Sequence, residues 1–219
     1  MQVKICGITS VEQGCAIAQL GATALGYICV KKSPRYITPQ NITPIVTAVS
    51  DEWPEVQHFG VFANDSLFSI LDVVKAARLT AVQLHGDETP AICHLLRDAF
   101  KESGLPKVKL VKALRIQSAE DLEMARSYEP YVDSLLLDAY HPEQLGGTGK
   151  TLDWRSLQKF SPGRPWFLAG GLTPANVQTA LAQISPNGID LSSGVERSPG
   201  DKDLEKVREL FEQIKPLVS

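Results

Sequence analysis

The sequence contains no apolar run approaching the ~20 residues that a membrane span requires. It also lacks a basic cluster: 22 Lys and Arg residues are interspersed with 25 Asp and Glu, for a net charge of −3. A nucleic-acid face, where cations would gather, is therefore not expected. Cysteine is scarce. The four present, Cys6, Cys15, Cys29 and Cys93, form neither a CxxC pair nor a zinc spacing, and read as free thiols in a reducing compartment. Met1-Gln2-Val3-Lys4 enters a strand pattern at once, leaving no room for a signal peptide. A cytoplasmic protein without a membrane partner is the expectation. No low-complexity segment or long polar linker interrupts the chain, and 43% of its residues are hydrophobic. One domain spanning 1–219 is expected.

What is present alternates. Strand patterns occupy Val3–Cys6, Ala24–Cys29, Gln57–Val61, Ala81–Leu84, Val108–Ala113, Ser134–Asp138, Trp166–Leu168 and Gly188–Leu191. Helical patterns separate most of them. Ile92, Leu95, Leu96 and Ala99 recur at the spacing of one buried helix face, as do Leu204, Val207, Leu210, Phe211 and Ile214. The sixth helix shrinks to a short piece near Trp154–Lys159. Strands and helices in such alternation, within 219 residues, favour an α/β fold closed as a (β/α)8 TIM barrel over an open sheet.

Two glycine-bearing turns stand out, Ala169-Gly170-Gly171-Leu172 and Asp190-Leu191-Ser192-Ser193-Gly194-Val195. Each follows one of the last two strands, and a helix-length segment with Val177, Ala180, Leu181 and Ile184 lies between them. Turns so placed on a barrel form its recurrent phosphate site, because glycine admits close approach and backbone N–H groups bind anions. A pair of ordinary βα loops is the alternative. The longest irregular segment, Ala139 to Lys150, carries Gly146-Gly147-Thr148-Gly149. It ends in Gly149-Lys150-Thr151, but a nucleotide-binding P-loop would need glycine where Gln144 stands.

Read in order, Lys4-Ile5-Cys6-Gly7, Ser33-Pro34-Arg35-Tyr36, Gly60-Val61-Phe62, Val82-Gln83-Leu84-His85-Gly86-Asp87 and Leu136-Leu137-Asp138 precede Gly146-Gly147-Thr148-Gly149, Asp153-Trp154 and the two glycine turns. From residue 4 to about 203, this set resembles the phosphoribosylanthranilate isomerases of tryptophan biosynthesis. The resemblance implies a TIM barrel and an Amadori rearrangement of a phosphoribosylated anthranilate, without metal or organic cofactor. It also admits association with other tryptophan-pathway enzymes. One stretch departs from the pattern: Cys29-Val30-Lys31-Lys32 stands where many relatives carry an aromatic and a proline. Another phosphosugar-binding TIM barrel remains the alternative, including the related histidine-pathway isomerase, which has aspartate at the position of Cys6. So does a phosphosugar-binding barrel without catalysis, against which the presence of both Cys6 and Asp138 argues.

The implied reaction opens a furanose ring, which needs an acid, and removes the C2′ proton of a Schiff base, which needs a base. By resemblance, Cys6 is the general base and Asp138 the general acid. Lys4, two residues before Cys6 on the same pleat face, is expected to lower the thiol pKa from its usual ~8.5. Arg35 suits the anthranilate carboxylate, since a guanidinium grips a planar carboxylate with two prongs. His85 either lines the mouth beside Gln83 or caps the next helix. The resemblance further assigns substrate contacts to Lys4, Gln83, Gly147, Gly170, Gly171, Asp190, Ser192, Ser193 and Gly194. Cys15, Cys93, His58, His94 and His141 carry no partner pattern and read as structural or solvated.

Overall fold

Helix starts along the chain are marked by residues whose side chains replace missing backbone partners. Ser10, Thr38, Ser66, Thr89 and Ser118 each accept a hydrogen bond from the backbone N–H three residues on. Pro39 and Pro90 follow two of these caps, where no backbone donor is needed. The helices so started are α1 (Val11–Gln19), α2 (Pro39–Glu52), α3 (Leu67–Ala77), α4 (Pro90–Glu102) and α5 (Ala119–Arg126). The computed structural model describes residues 1–139 and 154–218.

Strands β1 (Gln2–Cys6), β2 (Ala24–Ile28), β3 (Gln57–Phe62), β4 (Ala81–Leu84), β5 (Lys109–Ile116), β6 (Ser134–Ala139), β7 (Trp166–Ala169) and β8 (Gly188–Leu191) close into one parallel barrel. β1 completes the ring by pairing with both β2 and β8, with Lys4 opposite Ala24 on one side and Asp190 on the other. The expected (β/α)8 architecture is the one observed. Two apolar layers result. Helices bury residues such as Ile42, Val49, Ile70 and Val207 against the outside of the strands, while Ala24, Phe59, Ala81, Val111, Leu136 and Phe167 form a separate cluster. Phe59 and Phe167 meet edge to face at 6.4 Å within that cluster.

The structure revises several element boundaries. β5 runs to Ile116, because Leu114, Arg115 and Ile116 continue the ladder against Leu137, Asp138 and Ala139. α4 buries Cys93, Leu96 and Phe100, leaving Ile92 and Leu95 exposed. The expected helical period is there, but its phase is set by a cysteine and a phenylalanine outside the apolar set first chosen. Between β6 and β7 the described chain has only a 3-10 turn, Trp154–Leu157, consistent with the short piece expected. α6 (Val177–Leu181) is a single short helix rather than one filling the segment. After β8 comes an element absent from the expectations: an antiparallel pair, β9 (Glu196–Ser198) and β10 (Asp201–Lys202), turning at Pro199-Gly200. α7 (Leu204–Val218) then buries Val207, Leu210 and Ile214, as its spacing foretold. Among the described residues no helix is long and apolar enough to cross a membrane.

Candidate active site

The C-terminal ends of the strands gather most of the expected residues at one mouth, where barrels of this kind carry their chemistry. Lys4 and Asp190 lie below it on the two strands that close the ring. Lys4 Nζ donates to both Asp190 oxygens, at 2.9 and 3.0 Å, and lies 5.5 Å from the centre of the Phe59 ring. Burial works to lower the Lys4 ammonium pKa, but Asp190 and Cys6 together outweigh it and keep Lys4 charged. Both carboxylate oxygens of Asp190 are thus taken up by Lys4.

Cys6 ends β1 opposite Gly26 of β2. A Cβ on Gly26 would stand 2.6 Å from Cys6 Sγ, so the missing side chain on β2 makes room for the sulfur. Lys4 does pull the Cys6 thiol pKa down, but the net shift is upward. Burial pushes the Cys6 thiol up, and Lys4 and Lys202 pull it back only in part, since Asp190 opposes them. The free protein holds Cys6 as a thiol. Burial also pushes the Cys29 and Cys93 thiols up, to about 12 and about 11.

Across the ring, Asp138 sits one residue from the end of β6, and its Oδ2 is 3.3 Å from Nε2 of His85. His85 follows β4 and its Nδ1 is 3.2 Å from the Gln83 side-chain amide. His85 therefore lines the mouth; Thr89, not His85, caps α4. Gln83 is buried, yet its Oε1 has no hydrogen-bond partner among the described residues. A buried amide oxygen left open is costly, and beside a row of Asp138 and His85 it suits a ligand donor.

The two glycine turns meet. Gly170 and Gly171 adopt φ of +87° and +63°, and Asn176 braces them by donating to the Gly171 carbonyl at 2.9 Å. Gly194 follows β8 within the 3-10 turn Ser193–Val195, and a Cβ there would stand 1.8 Å from the Leu172 carbonyl oxygen. Only glycine lets the loops after β7 and β8 touch at this point. Ser192 ties the same region to β1 through a 2.9 Å hydrogen bond to the Cys6 carbonyl.

Arg35 is neither fully exposed nor free. Its Nε donates to both oxygens of Glu196 at 2.9 and 3.1 Å, and its Nη2 donates to Oε2 at 2.6 Å. Lys202 Nζ approaches the other side of the same carboxylate, at 2.6 Å from Oε1. Glu196 and Lys202 were not singled out from sequence. The Pro199-Gly200 dipeptide marks the turn that brings them together, and it was the available signal. Gly147, Asp153 and His141 lie outside the described residues, as does the P-loop-like Gly149-Lys150-Thr151.

Comparison with known proteins gives the geometry a lineage. The model of the family "N-(5'phosphoribosyl)anthranilate (PRA) isomerase" matches residues 3–213. This chain belongs to that family. An N-(5'-phosphoribosyl)anthranilate isomerase of Nostoc punctiforme is 59% identical over 214 residues, covering 98% of each chain. The crystal structure of phosphoribosyl anthranilate isomerase from Thermotoga maritima superposes with a TM-score of 0.88 at 35% identity, covering 99% of both chains. A further isomerase structure, in complex with reduced 1-(o-carboxyphenylamino)-1-deoxyribulose 5-phosphate, matches with a TM-score of 0.82 at 32% identity over 99% of each. The chain is thus an isomerase of the tryptophan pathway on the same barrel as these family members, and the histidine-pathway and non-catalytic alternatives fall away.

Proposed function

We propose that Cys6 and Asp138 act as base and acid in the isomerisation that defines the family. The reaction converts N-(5'-phosphoribosyl)anthranilate, an aminoaldose, into 1-(2-carboxyphenylamino)-1-deoxyribulose 5-phosphate, an aminoketose. The supporting observation is their placement: Cys6 ends strand one and Asp138 is the penultimate residue of strand six, so they reach the same mouth from well-separated strands of the closed ring.

Asp138 protonates the ring oxygen, the C1′–O bond breaks, and the nitrogen lone pair forms a cationic Schiff base. The thiolate of Cys6 then takes the C2′ proton, and the electrons of that bond neutralise the nitrogen to give an enolamine. Tautomerisation to the ketone completes the aminoketose. Burial favours the thiol in the free protein, so the Cys6 proton passes to solvent before C2′ is deprotonated, and the Schiff-base cation next to C2′ favours the resulting thiolate. His85, 3.3 Å from Asp138, is placed to orient the carboxyl group.

In this reading the phosphate binds the backbone N–H groups of Gly171, Ser193 and Gly194 where the two loops touch. Arg35 takes the ring carboxylate through the part of its guanidinium that Glu196 leaves open. The Gln83 amide, with Oε1 unpartnered, faces a sugar hydroxyl. The cytoplasm, where phosphorylated sugars are made and consumed, is the proposed compartment.

Cys6→Ser and Asp138→Asn test the assignment. Each is expected to lower kcat by about 10²–10⁴-fold, the usual contribution of a general acid or base. Binding of the reduced product analogue should persist in both. Near-wild-type turnover in either variant would remove that residue from its role.

A further inference from the structure

A guanidinium offers carboxylates two forked edges, and in Arg35 the Nε–Nη2 edge is filled by Glu196. The edge bearing Nη1 is the one left for a ligand. Glu196 cannot reach a ligand itself. Its carboxylate is 5% exposed and receives Lys202 Nζ at 2.6 Å and the Gly200 N–H at 3.1 Å on Oε1. Lys202 is fully buried and also donates to the carbonyl and hydroxyl of Ser192, each at 3.3 Å. β9 and β10 hold the pair in place, since Lys202 lies directly opposite Glu196 in their ladder.

The charges decide what this arrangement can do. Arg35 and Glu196 alone would form a neutral pair with little long-range pull on an anion. With Lys202 the trio has two cations and one carboxylate, a net charge of +1. Burial works to raise the Glu196 pKa, but Arg35 and Lys202 outweigh it and hold the carboxyl below the ordinary carboxylate range. Burial lowers the Lys202 pKa, Glu196 opposes that shift, and the 2.6 Å contact pairs the ammonium directly with the carboxylate.

We propose that Glu196 and Lys202 are positioning residues for anion recognition by Arg35. Glu196 fixes the guanidinium so that one edge alone is presented, and Lys202 restores the positive charge that Glu196 would cancel. The inference rests on Arg35 being the partner of the substrate's ring carboxylate. It adds that selectivity for this carboxylate is set by two buried side chains on a hairpin after the last barrel strand.

The test compares two stable probes, the reduced product analogue and the same molecule without its ring carboxylate. Dissociation constants are measured for the wild type, Arg35→Ala, Glu196→Gln, Lys202→Met and Lys202→Arg. The Arg35→Ala/Glu196→Gln and Arg35→Ala/Lys202→Met double variants complete the set. Glu196→Gln and Lys202→Met are each expected to reduce the preference for the carboxylated probe by about 5- to 20-fold, the scale of one charge-assisted contact. Lys202→Arg, which keeps the charge, should retain most of it. In the Arg35→Ala background neither substitution should reduce the preference further, a coupling that a merely structural role would not produce. If Glu196→Gln does not fold, the contrast between Lys202→Met and Lys202→Arg carries the test. Preference abolished by Arg35→Ala but untouched by Glu196→Gln and Lys202→Met would overturn the proposal and leave the Arg35 reading intact. Equal weakening of both probes would overturn it too. Preference surviving in Arg35→Ala would remove the Arg35 reading, and this inference with it.

Discussion

Cys6 sits among two ammonium groups and a carboxylate, and its burial, aided by Asp190, outweighs the pull of Lys4 and Lys202 and favours the proton on sulfur. The same burial that disfavours the thiolate in the free protein makes it a stronger base once formed, because the anion is poorly solvated. Titration of the ligand-free protein, read as the difference in ultraviolet thiolate absorbance between wild type and Cys6→Ser, should therefore show a midpoint above the ordinary ~8.5. A midpoint at or below that value would mean that Lys4 and Lys202 dominate the site after all. Lys4 contributes in a second way. Its bidentate grip on Asp190 joins the two closing strands two residues before Cys6. A methionine at that position would strand a buried carboxylate, which typically costs far more than the pair itself contributes.

Element by element, the packing of β3 and α2 shows how polar groups are accommodated behind the barrel wall. His58 on β3 is buried between Tyr27 Oη on β2, 2.9 Å from Nδ1, and Ser50 Oγ on α2, 3.0 Å from Nε2. Burial pushes the His58 pKa down from 6.5 to about 4. Between those values the unfolded chain binds the proton and the folded one does not, so stability is full above pH 6.5 and declines as pH falls toward 4. The loss should reach about 2–3 kcal/mol in urea unfolding compared at pH 7 and 4.5. His58→Gln, which stays neutral, should shrink that pH difference; an unchanged difference would place the titrating group elsewhere. Elements of this length were legible in sequence because alternation and helical spacing repeat within each. The barrel, its strand order and the residues at the ends of β1 and β6 followed from that and from ordered motifs. The phase of α4 is not legible from apolar spacing, since Cys93 and Phe100 complete a buried face with Leu96 as well as Ile92 and Leu95 would. The β9–β10 pair, three and two residues long, is too short to show any period. With it went Glu196 and Lys202, and the contact from Arg35 to Glu196 spans 161 residues, a separation no local pattern can report.

Taken whole, the molecule separates candidate chemistry from support: the mouth carries the side chains proposed to react, and the loops that enter the strands lie at the other end. The connection from α4 to β5 illustrates the second kind. α4 ends with Gly104 at φ +74°, its N–H bonded to the Lys101 carbonyl, and the Leu105 N–H bonded to that of Phe100. This is a Schellman close, complete before Pro106. Inserting four Gly/Ser residues after Pro106 should cost no more than about 1 kcal/mol and leave kcat/KM within about twofold, since loop length adds little entropy. A large fall in kcat/KM would show that the two ends of the barrel are coupled. The closing contact between Lys4 and Asp190 has a different consequence, one of timing. The two residues are 186 positions apart. At a synthesis rate of about 5–20 residues per second, roughly 10–40 s separate the appearance of the first from that of the second. Until β8 is made, β1 lacks the strand that completes the ring, and Lys4 lacks the carboxylate that pairs with it in the folded protein. Closure of the ring is therefore among the last steps open to this chain as it is made.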